Sequence, residues 1–310
     1  MKQQDSTIRW LLEGDPAIRW QTLRDLVGAS KKKVSDEQKL VAKKGWGARL
    51  LALQESSGGW GGGIYSPKWT STTYTMLLLR DLGLPSKYPQ AIQACTLLLD
   101  KGFYEDGGIN FGSYHKHSET CITGMVLSIV SYFQLPDDRV HGLVDHLLRQ
   151  QMKDGGWNCQ SYRGATHSSF NTTILALEGL REYEKTYPKN AKKIRRAQKK
   201  AREFLLIHRL FRSHRTGEIV NPAMTRFSFP PRWHYDILRA LDYFREVGAE
   251  KDKRLKDAIE IVRKRQKKDG RWVLQNRYPG RTFFEMEKVA EPSRWNTLRA
   301  LRVLKWWESI

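Results

Sequence analysis

Apolar residues along the chain fall into alternating blocks of two textures. In LVAKKGWGARLLALQ, YPQAIQACTLLLDKG, VHGLVDHLLRQQ, KKIRRAQKKAREFLLIHRLF and RLKDAIEIVRKRQ they recur at three and four with polar residues between, which predicts helices wet on one face. Between these lie TSTTYTMLLLRDLGL, TCITGMVLSIVSYFQL, NTTILALEGLREYE, WHYDILRALDYFREVG and WNTLRALRVLKWW, apolar around more of the circumference and so predicted to be more deeply buried. The chain start, STIRWLLEGDPAIRWQTLRDLVG, repeats the pair in short form.

The junctions repeat too. Gln, three residues, Gly, one residue, Trp occurs at Gln54/Gly58/Trp60, Gln151/Gly155/Trp157 and Gln266/Gly270/Trp272, with weaker versions at Ile109 and Ile219. The anchors Trp60, Ile109, Trp157, Ile219 and Trp272 stand 49, 48, 62 and 53 residues apart, a supersecondary period with one longer insertion. Glycine suits the end of a helix where the chain reverses, and Thr70 to Thr73 and Ser168 suit the N-cap of the helix that follows. Arg-Trp-x-x-Leu-Arg phrases occur near both ends, at Arg19-Trp20 and Arg294-Trp295, and a longer-spaced version at Arg232-Trp233. About six helical hairpins with matching ends predict an all-α, closed two-layer ring, an α/α toroid in a single domain over 1–310, with the N-termini of its inner helices around one mouth.

Gln-x3-Gly-x-Trp between an amphipathic and an apolar helix resembles the repeats of squalene and other triterpene cyclases and of protein prenyltransferase beta subunits, over roughly Trp46 to Trp307. The resemblance implies a toroid, structural roles for these Gln and Trp residues, and a central pocket for a hydrophobic, isoprenoid-like ligand. It does not extend to the catalytic signatures. No Asp-x-Asp-Asp occurs, the nearest pair being Asp137-Asp138 in a turn, and there is no Asp-Asp-x-x-Asp. The zinc set of the prenyltransferases is incomplete, with Glu119 at the histidine position and no Asp-x-Cys.

Candidate chemistry therefore comes from position. The inner-helix starts supply Trp69; Tyr114, His115, His117, Glu119 and Cys121; Arg163, His167 and Asn171; Trp233, His234 and Asp236; Trp295 and Asn296. His117, Glu119, His167, His234 and Asp236 are the candidates for proton transfer, since imidazole and carboxylate hold protons near neutral pH. Trp20, Trp69, Trp233 and Trp295, with Tyr114, Cys121, Arg163, Asn171 and Asn296, are candidates for ligand contact, the aromatic faces suiting an isoprenoid or a cation. No metal set and no cofactor is indicated. Charges on the buried helices, Arg24-Asp25, Arg80-Asp81, Arg239 with Asp242 and Glu178 with Arg181, predict bridges between repeats, because a bare buried charge is costly.

The 310 residues carry 54 Lys+Arg against 33 Asp+Glu, a net +21. Most of the excess sits in two stretches. Lys185–Arg215 has 12 basic residues and one acid, and Lys251–Arg281 has 12 and four, so one outer flank is predicted to be strongly positive. Such a flank suits an anionic membrane surface or, less well, nucleic acid, for which no reading motif is present. With no long apolar run and three scattered cysteines, Cys95, Cys121 and Cys159, the expectation is a cytoplasmic protein, peripheral at the membrane if attached at all. An alternative is carbohydrate chemistry, with Glu285, Glu287 and Glu291 in a loop overhanging the mouth.

Overall fold

The computed structural model describes residues 2–112 and 116–309. Among these there are thirteen α-helices and no strand. In chain order they are α1 (Lys2–Leu12), α2 (Pro16–Thr22), α3 (Lys31–Lys39), α4 (Gly45–Leu51), α5 (Thr72–Leu82), α6 (Pro89–Gly102), α7 (Thr120–Tyr132), α8 (Arg139–Arg149), α9 (Phe170–Thr186), α10 (Ala191–Ile207), α11 (Ile237–Glu246), α12 (Lys256–Lys264) and α13 (Arg294–Glu308). The apolar blocks form the inner layer, α2, α5, α7, α9, α11 and α13. The one-sided blocks form the outer layer, α1, α4, α6, α8, α10 and α12, with α3 an additional helix that buries no side chain.

The inner layer can be followed around a complete circle. Gln21 Nε2 and Trp20 Nε1 on α2 donate to the carbonyls of Asp81 and Leu82 at the end of α5 (3.1 and 2.9 Å). Arg80 on α5 donates to Ser128 on α7 (2.5 Å). Helices α7 and α9 pack backbone to backbone, and a Cβ on Gly124 would stand 2.8 Å from Ala176 N. Glu178 on α9 pairs with Arg239 on α11 (2.7 Å), and Asp242 on α11 pairs with Arg302 on α13. Arg302 also donates to Gln21 (2.9 Å) and Asp25 (3.2 Å), and Arg294 Nε to Trp10 O (3.1 Å), which closes the ring. The repeated Arg-Trp phrases at the two ends thus belong to helices that meet.

Each complete Gln-x3-Gly-x-Trp turn makes the same bonds. The Trp60, Trp157 and Trp272 indoles, all buried, donate to Leu50, Leu147 and Val262 carbonyls at 2.7–2.8 Å. The Gln54, Gln151 and Gln266 amides donate to the carbonyl of the Gly four residues on, and those of Gln54 and Gln151 reach the next outer helix at Gln90 O and Ala197 O. The backbone N–H of Trp60, Ile109, Trp157 and Trp272 donates to Thr72, Thr123, Thr173 and Thr297 (2.9–3.1 Å), a threonine set in the first turns of the inner helices. Four predictions change. Ile219 is 43% exposed, its backbone bridging Arg212 while its side chain stays outside the core. Ser168 bonds Asp154 of the preceding turn, and Ser169 is the cap of α9. Thr70 to Thr73 turn inward, Thr72 and Thr73 donating to Gly63 O and Ile64 O. The block LVAKKGWGARLLALQ breaks at Gly45 (φ +68), where Trp46 N donates to Asp15 and any Cβ would collide with that carboxylate.

The axis of the ring is charged. Arg80, Glu178, Arg239, Arg299, Asp242 and Arg302 line the central cavity with Arg181, Glu182 and Glu246 beyond them. Glu178 lies between Arg239 and Arg80, and Arg181 spans Glu182 and Glu246. Arg24 and Arg80 pair with the adjacent Asp25 and Asp81, whereas Arg239 bonds Glu178 across helices, not Asp242. Arg239 and Arg80, which together outweigh the cost of burying it, hold the Glu178 carboxyl down to about 2.

Candidate ligand chamber at the mouth of the ring

Aromatic rings gather where the inner helices begin. Trp69, in the segment before α5, is buried, meets Tyr74 edge-on at 4.8 Å, and donates to the carbonyls of Tyr278 and Pro279 (3.2 and 3.0 Å). The loop carrying Tyr278 lies so close that a Cβ on Gly280 would stand 2.4 Å from the Trp69 indole nitrogen. Backbone bonds Trp69 N to Arg281 O (2.6 Å) and Arg281 N to Lys68 O (2.8 Å) fasten that loop over the mouth. Tyr65 stacks obliquely on Tyr74 at 5.2 Å. His234 is stacked between Trp233 (3.6 Å) and Tyr278 (3.5 Å).

Two cations stand among these rings. Lys68 Nζ lies 5.6–5.8 Å from the rings of Tyr65, Trp69 and Trp233, within reach of a weak cation–π attraction. Arg232 lies 5.5 Å from Trp69 and, with Phe229, Phe283, Phe284 and Met286, lines a cleft of about 640 Å³ including its open end. Of that volume only about 40 Å³ is enclosed. No carboxylate among the described residues pairs with the Arg232 side chain. Burial lowers its pKa to about 10, and its backbone is left-handed (φ 57), uncommon for a side-chain-bearing residue.

The position-based candidates divide. Trp69, Trp233 and His234 come together at the mouth. Glu119 stands at the N-cap of α7 and Cys121 in its first turn. His117 stacks on Tyr162 at 3.7 Å beside a recess it shares with Asp106, His146 and Cys159. His167 is exposed and its carbonyl accepts from Asn158 (2.7 Å). Asp236 is a fully buried N-cap, accepting from Arg239 N (2.8 Å) and facing Arg299 (3.8 Å), so it forms no acid–base pair with His234. Burial, with Arg239 and Lys68 nearby, depresses His234 to about 4 and leaves it uncharged at neutral pH, contrary to the expectation that it holds a proton there.

Asn171 accepts from Tyr235 N (2.8 Å) and Asn296 donates to Phe227 O and Val273 O; both tie loops down. Trp295 is buried against Phe229 (3.9 Å). Trp20 sits within α2 beside the end of α5, away from the mouth, because its indole caps Leu82 O. Arg163 is an exposed neighbour of Tyr162. Tyr114 and His115 lie outside the described residues. The loop of Glu285 and Glu287 does overhang the mouth, but Glu285 pairs with Arg277 (2.6 Å) and Glu287 binds Ser293 and Trp295 N. Sequence reasoning missed Tyr65, Lys68, Arg232 and Tyr278; of these only Arg232 lay in a repeated phrase, and there as scaffolding. No group of three or more potential metal ligands occurs among the described residues, and no helix there is long and apolar enough to cross a membrane.

No protein-family description matches the chain, and no curated protein does. Solved structures similar to it include a protein from Actinoplanes (16% identity, covering 96% of this chain and 91% of that one, TM-score 0.48). They also include type II terpene cyclase MstE from Scytonema without ligand (16%, 98% and 98%, TM-score 0.48). A variant of MstE in complex with geranylgeranyl dihydroxybenzoate gives 17%, 99% and 97%, with TM-score 0.48. The MstE structures have a terpene cyclase-like helical fold, at low identity to this chain. The ring described above rests on this chain's own contacts, and nothing about activity passes across.

Proposed function

We propose that the chain binds an isoprenoid-like molecule with an anionic head group in the chamber at its mouth, the tail against Trp69, Phe229, Phe283 and Phe284 and the head on Arg232. The observation that carries this reading is Arg232, a cation with no carboxylate partner inside an aromatic cleft. Burying a charge without a partner is costly, and an anionic ligand would supply the missing one. The central cavity below is lined by self-paired charges together with Trp20, Phe229 and Trp295. His234 and Glu119 are the members of the proton-transfer set that remain near the chamber. Calorimetric titration with geranylgeranyl diphosphate, geranylgeraniol and inorganic diphosphate tests the reading. The diphosphate ester should bind about 10–100-fold more tightly than the alcohol, as a hydrogen bond to a charged group is worth, and Arg232→Leu should erase the difference. Absence of saturable binding, or binding indifferent to Trp69→Ala and Arg232→Leu, overturns it.

A separate surface supports docking to an anionic bilayer. Lys192, Lys193, Lys199 and Lys200 are exposed along α10 with no carboxylate partner, and Ile207, Ile219 and Val220 are exposed at its end and in the segment after it. Basic side chains beside exposed aliphatic ones suit a headgroup layer better than nucleic acid. Co-sedimentation with phosphatidylserine vesicles, lost in Lys199→Glu/Lys200→Glu, is the expected result; retention by duplex DNA but not by vesicles overturns it.

A further inference from the structure

Two histidines meet at the end of α10, away from the ligand chamber. His208 is the first residue after that helix, and His214 lies in the turn between Arg212 and Ile219, whose backbones bridge. His214 Nδ1 stands 3.0 Å from His208 Nε2, with the two rings 86° apart. The His208 ring is fixed by packing on Phe204 (4.6 Å) and Phe170 (5.4 Å), and its other nitrogen, Nδ1, lies 2.8 Å from Phe204 O. A carbonyl only accepts, so Nδ1 carries the proton and Nε2 of the neutral ring presents a lone pair. A backbone carbonyl behind an imidazole is the support that orients histidine as a metal ligand. Burial holds His208 below the ordinary imidazole range, which keeps a competing proton off that lone pair at neutral pH. His214 is exposed, on a turn closed by Ser213 N to Glu218 O and Gly217 N to Ser213 O, both 2.8 Å. In contact with water, its ring can move its proton to Nε2 and free Nδ1.

We propose that His208 Nε2 and His214 Nδ1 form a two-nitrogen site for a late divalent transition metal, copper(II) ahead of nickel(II) and zinc(II), with water in the remaining positions. The separation of the nitrogens selects the class. With about 2.0–2.1 Å from metal to nitrogen, two nitrogens 3.0 Å apart subtend about 91–97°, short of the ~109° of a tetrahedral zinc site. A right angle belongs to square-planar and tetragonal coordination, which suits copper(II) and nickel(II), and the general order of divalent affinities places copper first. The surrounding charge sets the strength. Arg209 and Arg212 both pair with Asp257 (3.5 and 3.2 Å), but this flank is positive overall and repels a cation at long range. Affinity should therefore rise with ionic strength, as salt screens that repulsion. A bound ion clips the end of α10 to the turn that leads into Ile219 and Val220.

Calorimetric titration of the full-length, chelator-treated protein with copper(II) sulfate provides the test. One ion per chain should bind at micromolar concentrations, and the electron paramagnetic resonance spectrum should carry splitting from two imidazole nitrogens. Nickel(II) chloride, which does not oxidise thiols, should occupy the same site more weakly. His208→Ala and His214→Ala should each weaken binding by about 100-fold, the loss expected when one arm of a chelate is removed, and each should leave one nitrogen in the spectrum. His214 is exposed, so that variant keeps the fold, and His167→Ala, exposed in another loop, should bind as the parent does. Absence of saturable copper binding, binding indifferent to both His208→Ala and His214→Ala, or zinc(II) binding more tightly than copper(II) would each overturn the assignment.

Discussion

The axis and the mouth of this ring both bury arginine, and they do so in opposite ways. Along the axis the guanidiniums meet carboxylates, Arg239 meeting Glu178 and Arg302 meeting Asp242 across helices, and Arg80 meeting Asp81 within its own. At the mouth Arg232 meets rings. In the first region charge holds repeats together, and removal of either partner strands the other in a poor solvent. In the second the cation is desolvated and no carboxylate bonds it, Asp81 acting only from a distance. The same residue type is thus scaffold in one place and a ligand contact in the other, and the difference lies in the partner.

The largest expected effect breaks the axis. Glu178→Leu leaves Arg80 and Arg239 without their shared carboxylate and should destabilise by about 3–5 kcal/mol, measured by urea unfolding. Adding Arg239→Met should return part of that loss, since the double variant strands one fewer charge. A single-variant change below about 1 kcal/mol would mean that water has reached the pair and that the axis resembles a surface salt bridge.

Next in size is the acid response of the same group. The Glu178 carboxyl is held at about 2 in the folded ring against an ordinary 4.5. A depressed carboxylate contributes stability that is present above its unfolded value and is lost as pH falls through the folded one, so the loss should run from pH 4.5 towards 2. It amounts to roughly 3 kcal/mol at 1.36 kcal/mol per unit. Glu178→Gln should flatten that window in a series of unfolding curves.

Arg232→Leu sharpens the contrast, because its sign is reversed. With no ion pair to lose and a desolvated charge removed, the variant should be as stable as the parent or more stable, by up to about 1 kcal/mol in thermal unfolding. A clear loss of stability would reveal a partner for Arg232 in the folded chain and would place the mouth in the same class as the axis.

How much of this could be read from sequence follows the same division. The Gln-x3-Gly-x-Trp turns were legible because their shared bonds are local, as Trp157 makes with Leu147 and Gln151 with Gly155, even though Gln151 also reaches Ala197. Closure was legible because Arg19-Trp20 and Arg294-Trp295 announce two helices of one kind. The threonines at 72, 123, 173 and 297 were visible at equal places but gave no hint that they receive the anchor N–H. The charge partners were not legible, since Arg239 and Glu178 are 61 residues apart and nearer carboxylates competed on paper. The mouth was half legible. Its tryptophans stood out, whereas Tyr278 and Lys68 reach it from loops with no periodicity, and Asp236 looked catalytic because an N-cap and a general base use the same residue type.

The smallest effect is a shift of window. His234 sits between Trp233 and Tyr278, and burial lowers its pKa from an ordinary 6.5 to about 4. A depressed imidazole is the mirror of the carboxylate in charge but not in direction. The unfolded chain takes up a proton as pH falls through 6.5 while the folded ring declines it until about 4, so stability is again lost towards acid. The window lies higher than that of Glu178, and the loss is reduced by the solvent that reaches a half-exposed ring. His234→Gln should therefore remove a shallow slope between pH 6.5 and 4 and leave the steeper fall below 4.5 in place, with Glu178→Gln doing the converse. Two windows that respond to separate substitutions would establish mouth and axis as independent electrostatic units. A single slope abolished by either would mean that protonation at the mouth is felt along the axis, with Arg239, which donates to His234 O at 2.6 Å and to Glu178 at 2.7 Å, as the group that carries it.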